Sequence, residues 1–323
     1  MKTIRVYFNY KHVDEPWGGA NNFIRALHNA MSRAGGFEFA ESIEDSYDVL
    51  FLNQLSMGPA SGSRISPLSR IRQARGDPSA GKRILVRAIN LRRHSHGPTL
   101  RSWLRDISRN KLLNMADMVI FQSHYQKSFF TKYGYKGKHD AVIHNGADAA
   151  IFHDSGSAVW DGKETLRMVS SSMSLHSIKR QDLIAKVSEC EGVEVSHMGN
   201  WPDSVDSRKV KLLGVLGQKE GAAVLRRSHV LLHPAVKDVC PNVVFEAICC
   251  GLPVIYNDGA GSGAEIVAEN GLPINEGSVE QIVGRLKDRY RQLKEHVRQT
   301  QRYYSIDRAV AQYIEVFSGL VNR

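Results

Sequence analysis

Short apolar runs, bounded by glycine, proline and polar turns, recur along the chain with helix-period segments between them. In the first half, residues 3–9, 48–52, 83–87 and 116–121 read as strands. In the second half, residues 166–170, 193–195, 210–213, 230–232 and 253–256 read the same way. Helices are predicted from Phe23, Ile24, Leu27 and Met31, over 68–75, and around Trp103, Leu104 and Ile107. Further helices are predicted over 124–132, 220–227, 242–250, 278–298 and 305–320. Residues 56–82 otherwise read as a loop rich in Gly, Ser, Pro and Arg, and 90–97 as a second loop. Several of the strand runs are apolar without alternation, the mark of a parallel sheet covered on both faces. Strands alternating with helices predict an α/β chain. Its 323 residues allow two domains of about 150 residues each. The expected divisions are 1–155, 156–302 and a final segment 303–323 that packs back on the first domain.

The segment 228–269 is the most informative. Val230-Leu231-Leu232 ends at His233-Pro234, a helix runs from about Asn242 to Cys250, and Gly251 and Pro253 stop it before the next strand. Glu246 is the one charge among Val243, Val244, Phe245, Ala247, Ile248, Cys249 and Cys250. A lone carboxylate on an apolar helix is costly without a partner. Either a backbone group or Arg satisfies it, or it is held for ligand hydroxyls. Asp238 precedes it by D-x7-E spacing. The loop position of Asp238 and the position of Glu246 one turn inside the helix let both face one cleft at the carboxyl end of a sheet, where open α/β sheets bind ligands.

These residues resemble a family, the retaining glycosyltransferases of family 4 (glycosyl transferases group 1). Its pattern is E-x7-E followed by E-A-x-x-x-G-x-P-V; here it reads Asp238-x7-Glu246-Ala247 and Gly251-Leu252-Pro253-Val254, with Asp replacing the first Glu. Ala116–Ser123 and Val142–Asp148 with Phe152 match two further family signatures, as do Gly18-Gly19 after the first strand and the Gly-rich loop 259–265. The resemblance implies a GT-B fold, two Rossmann-like domains facing a central cleft. It implies a retaining, metal-independent, hexosyltransferase-type enzyme using a UDP- or GDP-sugar, with no cofactor. The acceptor is a glycan, lipid-linked or other hydroxyl group, as in surface polysaccharide or glycoconjugate synthesis. Lys179 matches the family's phosphate-neutralising lysine. Arg180 stands where glycine is usual, and the family's upstream Arg is missing. Asp238 then supports the sugar, Glu246 takes the ribose hydroxyls, and Cys240, Asn242 and Val243 offer backbone amides that Pro241 cannot. Gly18 and Gly19 close over the donor. Arg87, Asn90, His94 and His96 stand near the family's acceptor-side histidine.

Charge adds a partner. Residues 1–150 carry 22 Lys+Arg against 12 Asp+Glu, whereas 151–323 carry 21 of each. Within 64–111 there are 13 basic residues against Asp77 and Asp106. Such a basic face fits an anionic acceptor or an anionic membrane surface. Trp103 is the one aromatic there, which argues against stacking on nucleic acid. No run of 18 apolar residues and no signal-peptide core are present, and the four cysteines show neither metal spacing nor a disulfide framework, so a cytoplasmic protein is expected. The absent G-x-G-x-x-G argues against a nicotinamide enzyme. A GT-B nucleotide-sugar epimerase and a non-catalytic GT-B binding protein are the alternatives.

Overall fold

The computed structural model describes residues 3–15, 18–62, 64–76, 81–257, 259 and 261–322, apart from the side chains of Ser95, His96 and Glu276. The contacts divide the chain into two units. One is Met1–His144 with Asp307–Arg323; the other is Asn145–Ile306. This division falls ahead of the boundary expected at 155.

The first unit contains β1 (Ile4–Phe8), α1 (Gly19–Ala34), β2 (Phe37–Ala40), β3 (Val49–Asn53), α2 (Leu68–Arg75), β4 (Arg83–Arg87), α3 (Arg92–His96), α4 (Leu100–Met115), β5 (Met118–Phe121), α5 (His124–Lys132) and β6 (Asp140–Val142). Its strands form a parallel sheet in the order β2-β1-β3-β4-β5-β6. The buried core of β3, Val49 to Leu52, explains its unbroken apolar run. Three elements depart from the sequence reading, one of them the short edge strand Asp140–Val142. Phe37–Ala40 adds an edge strand that its mixed composition concealed. Arg92–His96 is a short helix rather than a loop, because the buried Asp106 carboxylate accepts the N–H groups of Arg92 (2.7 Å) and Arg93 (2.9 Å).

The second unit contains β7 (Leu166–Ser172), α6 (Gln181–Val187), β8 (Val193–Gly199), β9 (Val210–Leu212), α7 (Gln218–Arg227), β10 (Val230–His233), α8 (Asn242–Cys249), β11 (Val254–Tyr256), α9 (Gly263–Val267), β12 (Gly271–Pro273) and α10 (Val279–Thr300). The strands are parallel in the order β12-β11-β10-β7-β8-β9. The chain therefore winds one way through β7, β8 and β9 and the other way through β10, β11 and β12. This is the Rossmann order, and its reversal lies between β7 and β10. Both faces are covered, as the apolar runs predicted. Leu231 packs with Val244, Phe245 and Ile248 of α8 on one face. Val230 and Leu232 pack with Leu183 of α6 and Leu286 and Leu293 of α10 on the other. The final helix, α11 (Ile306–Val321), joins the first unit, where Phe317 makes tilted and edge contacts with Phe8, Phe37 and Phe51 and Tyr313 meets Phe23.

Gly199 ends β8 at φ +103°, and a Cβ there would collide with the backbone oxygen of Ser172 at the end of β7. That close approach brings the loops after β7 and β8 together, with Asn200 N–H donating to Ser172 O at 2.9 Å. Gly199→Ala is expected to destabilise the second unit by more than about 1 kcal/mol, read as a lowered melting temperature, whereas Gly284→Ala, which has open space, should not lower it.

Candidate functional site

The reversal of strand order opens a crevice at the carboxyl ends of β7 and β10. The loops leaving those strands carry the expected polar residues. After β7 the chain makes a short 3-10 turn over Ser177–Lys179, with Arg180 in the left-handed region at φ 56° as the cap of α6. After β10 it passes Pro234, reaches Lys237 at φ 57°, and enters α8 through Pro241. The two loops are tied by Val236 N–H donating to Ile178 O at 2.8 Å. The Gly-rich loop after β11 adds a second tie: the N–H and Oγ of Ser262 both donate to Asp238 O, at 2.9 and 3.1 Å. Gly261, at φ +140°, lets that loop lie against the backbone of Lys237 and Asp238.

This scaffold brings Lys179 and Asp238 together. Lys179 Nζ meets Asp238 Oδ2 at 2.6 Å, with the side chains 22% and 18% exposed. His233, at the last position of β10, places Nε2 3.8 Å from the same oxygen. Burial pulls the Asp238 carboxyl up, but Lys179, His233 and the Cys240 N–H outweigh it and hold Asp238 below the usual carboxylate range. Burial drives the His233 imidazole down to about 4; Asp238 opposes that shift and Lys179 adds to it.

Glu246 behaves differently. It lies half-buried on α8 among Val244, Phe245, Ala247 and Ile248, all almost fully buried. Among the described residues its carboxylate makes no hydrogen bond or ion pair, and burial alone pushes its pKa up to about 7. Of the two options open in the sequence, the partner that would neutralise it is not there.

The other expected residues are placed as follows. Arg180 is engaged with Asp182 through Nε (3.0 Å) and Nη2 (2.9 Å). The Cys240 N–H helps hold the Asp238 carboxyl below its ordinary range. The Cys240 thiol, buried, accepts from the Asn145 N–H at 3.5 Å. Asn242 opens α8 and takes the Asn145 amide at 2.8 Å through its side-chain oxygen; Val243 follows it in the first turn. First-turn amides have no partner within a helix.

In the first unit, Gly18 caps α1 and Gly19 begins it, with open space where a Gly18 side chain would stand. Arg87, expected on the acceptor side, is enclosed instead. It is 1% exposed, donates to Asn53 (2.9 Å) and Gln122 (2.5 Å), and lies over the Phe23 ring, so it ties strands together rather than presenting a surface. Asn90 accepts the Leu91 N–H at 2.8 Å. His94 stacks on Phe129 with centroids 4.0 Å apart and meets the Tyr125 hydroxyl at 3.2 Å. The His96 side chain lies outside the described residues. Sequence reasoning passed over His233, Ser262 and Asn145. For His233 the signal was a histidine directly ending an apolar strand beside the Asp238 loop.

The basic segment is also more compensated than its composition implies. Asp106 is clamped by Arg93 and Arg109, each at 3.2 Å; Arg75 pairs with Asp117 at 3.0 Å and Arg70 with Glu44 at 3.1 Å. Helix α4 turns Ser102, Asp106 and Asn110 inward along with Leu112 and Leu113. Leu100, Trp103 and Leu104 face outward at 73%, 48% and 53% exposure. The apolar residues that marked this helix are thus on its outer side, beside exposed Arg101, Arg105 and Lys111.

Residues 182–292 match the sequence model of a family described as glycosyl transferases group 1. No curated protein matches the chain in sequence. Among solved structures, the chain is similar to a sucrose-phosphate synthase from Thermosynechococcus elongatus, with TM-score 0.71 and 14% identity over 98% of this chain and 99% of that one. It is similar to HepE from Anabaena in complex with UDP and glucose, with TM-score 0.67 and 14% identity over 98% and 100%. The lipopolysaccharide outer core galactosyltransferase WaaB in its apo form gives 0.67 and 12% over the same shares. These likenesses establish the fold: the two parallel six-stranded sheets are those of GT-B glycosyltransferases.

The buried Glu246 carboxyl carries a stability cost when ionised. Its pKa of about 7 lies above the ordinary glutamate value of 4.5, so the folded state binds the extra proton between those values and loses stability as pH rises through them. Glu246→Gln is therefore expected to raise the melting temperature at pH 8. The gain, up to about 3 kcal/mol, should shrink steadily as pH falls toward 5.

Proposed function

We propose that the chain is a retaining, metal-independent glycosyltransferase that moves a hexose from a nucleotide-diphosphate sugar to a hydroxyl acceptor. The observation that carries this reading is the pair of carboxylates at the carboxyl end of a Rossmann-order sheet. Asp238 is held ionised against Lys179, whereas Glu246 is half-buried and has no partner among the described residues. A partnerless carboxylate beside a helix start suits ligand hydroxyls, and the ribose of a nucleotide supplies two. Lys179 is the cation suited to the leaving diphosphate, with the first turn of α8 adding partial positive charge. Asp238, released from Lys179 by the phosphates, then faces the sugar. Among the two bases weighed, UDP is favoured, because HepE, a structure of the same fold, is described with UDP and with UDP-glucose.

Titration of UDP and GDP into the protein tests the donor site. One nucleotide should bind, and Glu246→Ala should weaken it at least tenfold, about 1.4 kcal/mol; Lys179→Ala should weaken UDP more than uridine. Binding of neither nucleotide to folded protein would remove the donor-site reading. Consumption of sugar nucleotide without any acceptor would move the reaction to an epimerase on the same fold.

The acceptor is proposed to lie on an anionic membrane surface, reached through α4. Leu100, Trp103 and Leu104 recur at helical spacing and are exposed, with Arg101, Arg105 and Lys111 around them. Apolar side chains that enter the lipid boundary amid cations are the pattern of an interfacial helix. Among the described residues no helix is long and apolar enough to cross a membrane. Vesicles of phosphatidylcholine with phosphatidylglycerol should retain the protein at low salt and release it at high salt. Arg105→Ala should lower retention about fivefold, from about 1 kcal/mol per surface cation, and Trp103→Ala should lower it even at high salt. Equal retention on pure phosphatidylcholine would overturn the anionic-surface assignment.

A further inference from the structure

Two groups converge on one carboxylate oxygen in the second unit. Asp238 Oδ2 is 2.6 Å from Lys179 Nζ and 3.8 Å from His233 Nε2. Lys179 satisfies it. His233 does not form a hydrogen bond through that nitrogen: Nε2 is buried and has no partner among the described residues. The imidazole as a whole is 5% exposed and fixed at the end of β10, a strand buried along its length. A buried ring nitrogen with no partner is costly, and it is aimed at the site where the donor is proposed to bind.

The ion pair sets the problem that this histidine can solve. If Lys179 serves the diphosphate, it must leave Asp238 when the donor arrives. A largely buried carboxylate deprived of its cation is strongly destabilised, by several kcal/mol in general. His233 is the group already within 3.8 Å of the abandoned oxygen. Its ring is neutral in the resting site, held so by burial and by the adjacent Lys179 charge, against the pull of Asp238. Those two residues are the charged groups that act on it: Asp238 from the loop that follows its own strand, and Lys179 from the turn after β7. Moving Lys179 toward a dianionic ligand removes the repulsion and leaves the attraction.

We propose that His233 is a positioning residue that takes a proton from solvent when the donor diphosphate draws Lys179 away from Asp238. The imidazolium then holds Asp238 in place for the sugar, and donor binding is linked to proton uptake at Nε2. The proposal rests on the donor-site reading above. It adds a replacement cation to that site, so the resting pair and the loaded pair share one carboxylate. When the nucleotide leaves, Lys179 returns and the proton is released.

Calorimetric titration of UDP in two buffers of different ionisation enthalpy, at pH 6.5, counts protons exchanged on binding. Glu246 contributes a release of its own, because hydroxyl donors favour its ionised form, and UDP contributes its own ionisation. Both are common to wild type and His233→Gln, so the difference between them reads His233 alone. The expected difference is an uptake of about half a proton, if the loaded ring regains the ordinary histidine pKa of about 6.5. Equal proton counts in the two proteins, with UDP bound by both, would overturn the proposal and leave the donor site standing. Failure of wild type to bind UDP or GDP would remove the donor site and the proposal together. Histidine ring spectra of the wild-type protein test the same point without a variant. One ring should pass from neutral to titrating above pH 6 on saturation with UDP, and Lys179→Met should produce that change with no ligand. A ring set that titrates identically with and without UDP would overturn it.

Discussion

A parallel strand covered on both faces admits few polar side chains before it ends, and those it admits are paired, as Ser170 is with His197 at 2.7 Å. That constraint arranges the second unit. Leu231 serves one face of the sheet, Val230 and Leu232 the other, and the first polar residues appear at His233 and beyond. The reversal of strand order between β7 and β10 then decides which ends stand apart, leaving the turn that carries Lys179 and the loop that carries Asp238 on either side. The ties from Val236 to Ile178 and from Ser262 to Asp238 fix these loops through backbone carbonyls, so the charged side chains themselves are not needed as mortar.

Two carboxylates on the same short segment meet opposite environments. Asp238 has a cation, a ring and an amide around it, and its acid form is disfavoured. Glu246 has no hydrogen bond or ion pair among the described residues, and burial raises its pKa to about 7. Environments that push paired carboxyls apart are how one fold gives two acids different tasks. The arrangement also explains why the site is a weak point in stability: a cost is retained at Glu246 that a glutamine would relieve.

Much of this was legible in the chain. Most strands and helices of the second unit follow from unbroken apolar runs stopped by Gly and Pro, though α6 and β12 did not stand out, and Glu246 is conspicuous because it interrupts an apolar helix. Lys179 was found through its match to a family pattern. His233 was not, since a histidine closing an apolar strand reads as an ordinary core residue, and its lack of a partner exists only in three dimensions. Arg87 was misplaced for the converse reason: a charge at a strand end suggests a surface, but the amide oxygens of Asn53 and Gln122, from distant parts of the chain, enclose it. In α4 the periodicity marked a two-sided helix without saying which side faces in. Asp106 decides that, by gathering Arg93, Arg109 and two backbone N–H groups, and this gathering is invisible to a count of charges.

The first half of α4 is therefore an inside-out helix, held by ion pairs and hydrogen bonds with its apolar residues in water. Its attachment draws little on the hydrophobic effect, which weakens on cooling, whereas the sheet cores draw on it heavily. Temperature thus acts on the two parts of the first unit in different ways. Cooling bears on the aromatic packing around Phe51 and Phe317 more directly than on the ionic clamp at Asp106. Trp103, 48% exposed on the outer side of α4, stands outside that packing.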